Sequence, residues 1–165
     1  MLDVATLNGM DAARFVAALD GIFEHSPWVA QAAAAARPFR DRAELHRAMV
    51  AAVDAAGEEA QLALMRAHPM LAKPATLTAA SHSEQGRLGL QTLDAADAAE
   101  MARLNEAYVE RFGFPFIIAV RGQRDRAAIV AALRARLAAD ADAERAEALA
   151  QVARIAQFRL EDRVR

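Results

Sequence analysis

Apolar residues recur every three or four positions along most of this chain, which is the spacing of an α-helix that buries one face. Five series are clear: Phe15, Leu19 and Ile22; Leu45, Met49 and Val53; Met101, Leu104 and Tyr108; Ile129, Leu133 and Leu137; and Leu149, Val152, Ile155 and Leu160. β-Branched residues never alternate with polar ones over the length of a strand. The nearest thing to a strand is the short apolar run 116–120. The pattern therefore predicts an all-α protein.

Prolines and glycines interrupt this pattern and mark the ends of helices. The breaks fall at Pro27, Pro38, Gly57, Pro69, Pro74, Gly113, Pro115 and Gly122. Residues that commonly cap a helix N-terminus lie near several of the expected helix starts. The candidate caps are Asn8, Asp41, Thr78 or Ser81, Asp94, Asp125 and Asp140 or Asp142. With 165 residues and no internal repeat, we expect one domain over 1–165, a bundle of about seven or eight helices.

Composition and charge exclude several classes of function. A net charge of −2 and a pI near 6.1 argue against a nucleic-acid groove or an anionic-membrane surface. The chain has no cysteine, which excludes a thiol nucleophile, a disulfide framework and a thiolate metal site. Charges recur too often for a membrane span, and the first residues do not resemble a signal peptide. We therefore expect a cytoplasmic protein with no membrane or nucleic-acid partner.

Candidate chemistry is concentrated in His68-Pro69 and in the segment 81–85. Together they offer an imidazole, a carboxylate and a carboxamide, and histidine changes protonation nearest to neutral pH. Each also has a purely structural interpretation. Ser81-x-x-Glu84 has the spacing of a helix capping box, and a histidine before a proline often ends a helix. The residue pattern alone leaves both interpretations open.

Two further features of the sequence concern a metal site and a ligand-binding segment. His68, His82 and Glu84 lack any recurrent spacing of zinc ligands, so we predict no metal site. The run 114–122 is bracketed by proline and glycine and is too short for a typical helix. It is either a buried extended connection or a stretch whose backbone binds a flat polar ligand, with Arg121 as a carboxylate clamp.

Several motifs in order along almost the whole chain resemble the 2-oxo-4-hydroxy-4-carboxy-5-ureidoimidazoline (OHCU) decarboxylase family. They are Phe23-Glu24-His25-Ser26-Pro27-Trp28, Arg37-Pro38-Phe39, Ala67-His68-Pro69, Leu77-Thr78-Ala79-Ala80-Ser81-x-Ser83-Glu84-Gln85, Leu104-Asn105-x-x-Tyr108, Arg111-Phe112-Gly113-Phe114-Pro115-Phe116-Ile117 and Ile155-Ala156-x-x-Arg159-Leu160. The resemblance implies a compact helical bundle, often a homodimer, that works without a cofactor or metal.

The resemblance also implies the site. It places the catalytic histidine at His68 and the essential glutamate at Glu84. The substrate-binding positions that it implies are Pro69, Ser81, His82, Ser83, Gln85, Ile117, Ile118, Ala119, Val120, Arg121 and Arg159. One departure is Met70, because family members often carry an acidic residue after the His-Pro pair.

The activity that the resemblance implies is a carboxy-lyase reaction, the cofactor-independent decarboxylation of OHCU to (S)-allantoin and CO2. It is the last step of urate degradation in purine catabolism, and it suggests functional coupling to hydroxyisourate hydrolase, which supplies OHCU. The alternative, supported by Met70, is a diverged helical module that binds a ligand or partner in the same pocket without chemistry.

Overall fold

The computed structural model describes residues 1–72, 79–90 and 93–165. Within these residues it contains nine α-helices and no strand, which confirms the all-α prediction. The helices are α1 (Val4–Asn8), α2 (Ala12–Ala18), α3 (Pro27–Ala33), α4 (Arg42–Ala55), α5 (Glu58–Arg66), α6 (Ala79–Gly86), α7 (Ala95–Phe112), α8 (Arg126–Leu137) and α9 (Ala141–Arg163), with a 3₁₀ turn at Ala34–Ala36. The expected number was slightly low because α1 is too short to show a periodic pattern.

Aspartate side chains begin most of these helices by accepting a hydrogen bond from the N–H three residues later. Asp41, Asp94 and Asp125 do so at 2.7–2.8 Å, as predicted. The prediction that Asn8 is a cap was wrong. Asn8 is the last residue of α1, and its side chain instead binds the Phe39 backbone through both its amide nitrogen and its oxygen.

The predicted capping box at Ser81 is also contradicted. Ser81 is the third residue of α6, so it lies inside the helix that it was expected to begin. The alternative cap, Thr78, lies outside the described residues. The carboxylate of Asp140, directly before α9, accepts the N–H of Asp142 at 3.1 Å, in agreement with the predicted start of that helix.

One compact unit of the chain comprises residues 1–67 and 153–165 and contains α1–α5 and the last turns of α9. Its core is built on side chains that are almost completely buried, among them Phe15, Leu45 and Met49. Leu45, Met49 and Val53 mark one face of α4, as predicted. The series Phe15, Leu19 and Ile22 is also buried, but only Phe15 lies in a helix because α2 ends at Ala18, so the helical prediction for that series is wrong beyond Ala18.

The second compact unit, residues 68–152, contains α6–α8 and the first turns of α9. Between α7 and α8 the chain passes through residues 114–120, which are all buried and belong to no helix or strand. The ring of Tyr108 contacts Phe114 and Phe116 edge-on, at centroid distances of 5.9 and 5.4 Å. The aromatic contacts explain why a segment with no regular structure is buried here.

Glycine allows the chain to leave α7 and enter this segment. Gly113 has a φ of +79°, in the left-handed region that residues with a Cβ avoid, and its N–H donates to the Val109 carbonyl at 2.8 Å. Pro115, two residues later, has no N–H with which to continue α7. Within the described residues, no helix is long and apolar enough to cross a membrane.

Candidate active site

His68 is the first residue of the second unit, and it follows the C-terminal residues of α5. It is buried, with 7% of its surface exposed. Pro69 and Met70, which follow it, are half-buried. A histidine placed just outside a helix and away from bulk solvent can exchange a proton with a bound ligand while its ring stays held by the surrounding structure.

The predicted segment 81–85 lies on helix α6, where some of its side chains are buried and others are exposed. Ser81 and Gln85, four residues apart, are buried with 4% and 3% exposure, and Glu84 is half-buried. Residues four apart lie on one helix face, so this arrangement follows from the sequence spacing. His82 and Ser83 are exposed. The substrate-binding role predicted for those two remains a prediction.

Two side chains fasten the loop that follows His68. The N–H of Ala72 donates to Oε1 of Gln85 at 2.9 Å, and Nδ2 of Asn105 donates to the Leu71 carbonyl at 3.0 Å. Because the partner of Gln85 is a donor, its carboxamide oxygen must face Ala72, which leaves the NH2 group as the part that can serve a ligand. Residues 71 and 72 are therefore held by α6 and α7.

Asn105 is a residue to which the sequence analysis gave no role, although it belongs to one of the motifs. It is 4% exposed, and within the part of the chain that the structure describes its Oδ1 accepts no hydrogen bond. A buried acceptor without a donor is costly and needs an explanation, such as a bound water or ligand group. The sequence does carry one signal for Asn105, namely its place in a motif three residues before the core residue Tyr108.

Side chains bind the backbone of the buried segment at Ile117 and Ala119. Nη1 of Arg136 donates to the Ile117 carbonyl at 2.7 Å, and the Ala119 N–H donates to Oε1 of Gln151 at 2.9 Å. The Ala119 carbonyl also accepts a bond of 3.3 Å from Nε2 of Gln123. The Ile117 carbonyl and both backbone groups of Ala119 therefore have protein partners, and a role of these two residues in substrate binding remains a prediction.

Ile118 and Val120 differ from Ile117 and Ala119 in their backbone hydrogen bonds. Ile118 is 6% exposed, yet among the described residues no hydrogen bond involves its N–H or C=O, and the same holds for the Val120 N–H. Buried backbone groups need partners. In an extended chain, successive residues point their N–H and C=O groups to opposite edges. Ile118 and Val120 are thus the positions of the predicted segment best suited to bind a ligand, next to the half-buried Arg121.

A buried polar cluster anchors Arg136. Glu144 is 1% exposed. Its carboxylate accepts a hydrogen bond from the Tyr108 hydroxyl and another, of 2.8 Å, from Nε of Arg136. Burial, together with the hydrogen bond to Glu144, raises the pKa of Tyr108, so the phenol stays protonated and donates. The sequence analysis assigned no role to Arg136, Glu144 or Gln151 and placed Tyr108 only in an apolar series and a motif.

Comparison with known proteins decides the family. The model of the OHCU decarboxylase family matches residues 8–161. The chain belongs to the OHCU decarboxylase family. It is 43% identical over 162 residues to the 2-oxo-4-hydroxy-4-carboxy-5-ureidoimidazoline decarboxylase of Haloferax volcanii, covering 98% of this chain and 96% of that protein. It is 38% identical to the mouse protein of the same name, covering 98% and 92%.

Other relatives of the family are longer proteins. The chain is 43% identical to the uric acid degradation bifunctional protein PucL of Bacillus subtilis, and it spans 98% of its own length but only 33% of that protein. A crystal structure of (S)-allantoin synthase matches 99% of this chain and 54% of its own, at 31% identity and a TM-score of 0.79. A crystal structure of OHCU decarboxylase in the presence of (S)-allantoin, at 23% identity and a TM-score of 0.70, supports the fold.

Arg159, a predicted substrate-binding residue in this OHCU decarboxylase family member, lies in the first unit. It is 6% exposed, and its Nη1 binds Oε2 of Glu24 at 2.6 Å and the Gly21 carbonyl at 2.9 Å. Glu24 is 1% exposed. The structure thus places Arg159 in a buried ion pair, and a contact with substrate remains a prediction.

Among the described residues, no group of three His, Asp or Glu side chains is arranged to hold a metal ion. The predicted site residues that lie in one unit are His68, Pro69, 81–85 and 117–121. Their combined chemistry is a titratable imidazole, a carboxylate, hydrogen-bonding side chains and a backbone edge that can bind a flat polar molecule.

Proposed function

We propose that this protein converts OHCU to (S)-allantoin and CO2 without a cofactor, with His68 as the proton donor and Glu84 as the residue that orients it. By family the protein is a carboxy-lyase of urate degradation, as predicted. The observation that carries the assignment of residues is that the buried His68 belongs to the same compact unit as Ser81, Gln85 and the unbonded peptide groups of Ile118.

The substrate supplies its own electron sink. Its ring carbon bears a hydroxyl and a carboxylate beside a C=N bond. When the bond to the carboxylate breaks, CO2 leaves, its electron pair forms a C=C bond to the neighbouring ureido-bearing carbon, and the electron pair of the C=N bond moves to the ring nitrogen, which takes up a proton. A proton then adds to the ureido-bearing carbon, while the hydroxyl on the carbon that lost CO2 gives up its proton and becomes the carbonyl of allantoin. The protein must therefore place the carboxylate and deliver one proton, and general acid help of this kind is typically worth about 10²–10⁴-fold.

Each group of the site has one role in this scheme. His68 hydrogen-bonds to the departing carboxyl and the hydroxyl, and then donates the proton. Glu84 orients the imidazole and favours its charged form. The Gln85 NH2 group, Ser81 and the backbone at Ile118 hold the ring and the ureido group. Because the ring is held by one face, the proton arrives from one side and a single enantiomer forms.

The test is a coupled assay in which urate oxidase and hydroxyisourate hydrolase generate OHCU and circular dichroism follows (S)-allantoin. We expect His68→Asn and Glu84→Gln each to lower kcat at least 100-fold with an unchanged melting temperature. Matched controls are His25→Asn and Glu106→Gln, both at exposed positions, and these should keep the wild-type rate. A wild-type rate in His68→Asn or Glu84→Gln would refute the role given to that residue.

The second candidate, a binding module without chemistry, rests on Met70 at the position where relatives often have an acidic residue. It predicts that the wild-type protein binds (S)-allantoin in calorimetry but releases no CO2 above the spontaneous rate. It also predicts that Met70→Glu restores turnover. Release of CO2 by the wild-type protein above the spontaneous rate would exclude this alternative.

We further propose a cytoplasmic homodimer that takes its substrate from hydroxyisourate hydrolase. Support for coupled steps comes from relatives named as bifunctional proteins of uric acid degradation, of which this chain matches about a third. Light scattering during gel filtration tests the dimer, and a single peak at monomer mass would refute it. Varying the concentration of the hydrolase in the coupled assay tests the coupling, which predicts a shorter lag than free diffusion of OHCU allows.

A further inference from the structure

We infer that Arg136 and Gln151 are positioning residues that hold one edge of the segment 117–119, so that the opposite edge at Ile118 stays open for the substrate. This inference rests on the proposed function, because it takes the segment as part of the substrate site. Both side chains lie in the same compact unit as the segment. They come from two different helices, α8 and α9.

Arg136 makes contacts that only a guanidinium can combine. Its side chain is 12% exposed, and its Nη1 donates to the Ile117 carbonyl at 2.7 Å. Its Nε and Nη2 lie 2.8 and 2.6 Å from the same oxygen of Glu144. Its planar head also lies 4.5 Å from the ring centroid of Phe116. A lysine has neither the fork of donors nor the flat face that stacks on a ring.

Glu144 and Tyr108 fix this guanidinium in turn. Glu144 is 1% exposed and accepts hydrogen bonds from both Arg136 and the Tyr108 hydroxyl. A buried ion pair is weak evidence for a gain in stability, because desolvation offsets the attraction. Within the described residues Nη2 of Arg136 makes no hydrogen bond, although it lies 2.6 Å from Glu144, so the bond from Nε is the one that sets the direction of the guanidinium. In this chain the geometry that it fixes is the carbonyl of Ile117.

Gln151 holds the segment two residues further on. Its Oε1 accepts the Ala119 N–H at 2.9 Å, while its Nε2 donates to Glu147 at 2.7 Å. The two contacts determine the orientation of the carboxamide. Ile117 and Ala119 are two residues apart, so in an extended chain their polar groups point to the same edge. In such a chain the residue between them, Ile118, would point its N–H and C=O to the other edge.

The consequence is preorganisation of the ligand-facing edge. Because the Ile117 carbonyl and the Ala119 N–H are both bound, the peptide groups of Ile118 keep their direction before substrate arrives. Supporting contacts of this kind matter for rate, since misplacing a binding group by about 1 Å can cost on the order of 10²-fold. Arg136 and Gln151 therefore act through the backbone and need no contact with the substrate.

The experiment compares Gln151→Leu, Gln151→Glu and Arg136→Lys with wild type in the coupled (S)-allantoin assay and in thermal unfolding. Gln151→Leu removes the acceptor for the buried Ala119 N–H, so we expect kcat/KM to fall about 10–100-fold and the melting temperature to fall by the cost of one lost buried hydrogen bond. Gln151→Glu keeps an acceptor and should recover at least a third of the wild-type value. Arg136→Lys should lower kcat/KM to a similar extent, because lysine cannot bind Ile117 and Glu144 in the same geometry.

Matched controls separate positioning from general damage. Arg134→Lys is two residues away on α8, where the side chain is 58% exposed and pairs with Glu100. Gln157→Leu is on α9, where the side chain pairs with Glu161 at an exposed position. Both controls should keep the wild-type kcat/KM.

The outcomes distinguish this inference from the proposed function. An active wild type with an equally active Gln151→Leu would overturn the positioning role alone. An equal loss in Gln151→Leu and Gln151→Glu would do the same, since the acceptor would then not matter. A wild type that neither converts OHCU nor binds (S)-allantoin in calorimetry would overturn both proposals.

Discussion

Replacing Arg159 with methionine separates a structural role of this residue from a role in substrate binding. Arg159 is 6% exposed and its Nη1 lies 2.6 Å from Oε2 of Glu24, which is itself 1% exposed. Methionine fills much of the same volume but leaves a buried carboxylate without this cation. We expect Arg159→Met to destabilise the fold and to leave KM close to the wild-type value in the fraction that is folded.

The size of the effect follows from the burial of both partners. Removing one partner of a buried pair typically costs about 3–5 kcal/mol, because the remaining charge is desolvated without compensation. For a protein of this size, 1 kcal/mol shifts the melting temperature by about 2–4 °C. The melting temperature should therefore fall by roughly 6–20 °C. Such a loss is a large part of the total stability, which is about 5–15 kcal/mol for a typical domain.

The assay is urea and thermal unfolding of four proteins: wild type, Arg159→Met, Glu24→Gln and the double variant. Because the double variant removes both charges, it should be more stable than the sum of the single losses implies, by about 0.5–3 kcal/mol. The control is Arg154→Met on the same helix. Arg154 is exposed over the ring of Phe158, at 5.7 Å, and its loss should cost no more than about 1 kcal/mol.

Two results would refute this reasoning. If Arg159→Met unfolds within about 2 °C of wild type, the ion pair does not hold the fold. If at the same time KM for OHCU rises tenfold or more, Arg159 contacts the substrate, as the family resemblance implies. Additive losses in the double variant would show that Glu24 and Arg159 act independently.

Three further predictions concern single contacts. Asn105→Leu leaves the Leu71 carbonyl without its donor, so unfolding should become easier by about 1–3 kcal/mol and kcat/KM should fall in the coupled assay. Gly113→Ala forces a residue with a Cβ to a φ of +79° and should cost about 1–2 kcal/mol in urea unfolding. The pKa of Asp125 is lowered, chiefly by the backbone N–H of Ala128, so Asp125→Ala should lower the melting temperature at pH 7. This difference should shrink as the pH falls below about 4, the ordinary value for a carboxyl group.

The sequence predicts the helices well where apolar spacing is sustained over several turns. The series that begin at Leu45, Met101 and Ile129 each fall inside one helix, because the periodicity of side chains is a local property of the chain. Helix α1 was missed because five residues are too few to show a period. The capping-box error at Ser81 has the same origin, since spacing alone does not tell which residue of a polar run begins a helix.

Sequence reasoning identified the residue types of the site through motifs, and it could not distinguish their environments. Ser81 and His82 are neighbours in one motif, but one is buried and the other exposed. The run 114–122 was predicted to be too short for a typical helix, and the structure has no helix there; residues 114–120 are buried. Arg136 and Gln151, which are remote in sequence, determine which peptide groups of this run are hydrogen-bonded to side chains. No local sequence pattern therefore indicates which groups these are.

The sequence still carries a usable signal for such remote contacts. The buried stripe of α9 runs at helical spacing through Glu144, Ala148, Val152, Ile155 and Arg159, all at most 8% exposed. A charged residue in the register of a buried stripe is almost never buried unless it is paired. The charged residue at each end of the stripe is therefore expected to pair with an opposite charge from another helix or loop. Glu144 pairs with Arg136, and Arg159 pairs with Glu24. Charges that interrupt an apolar series are thus better guides to the supporting contacts of this site than charges on the polar faces.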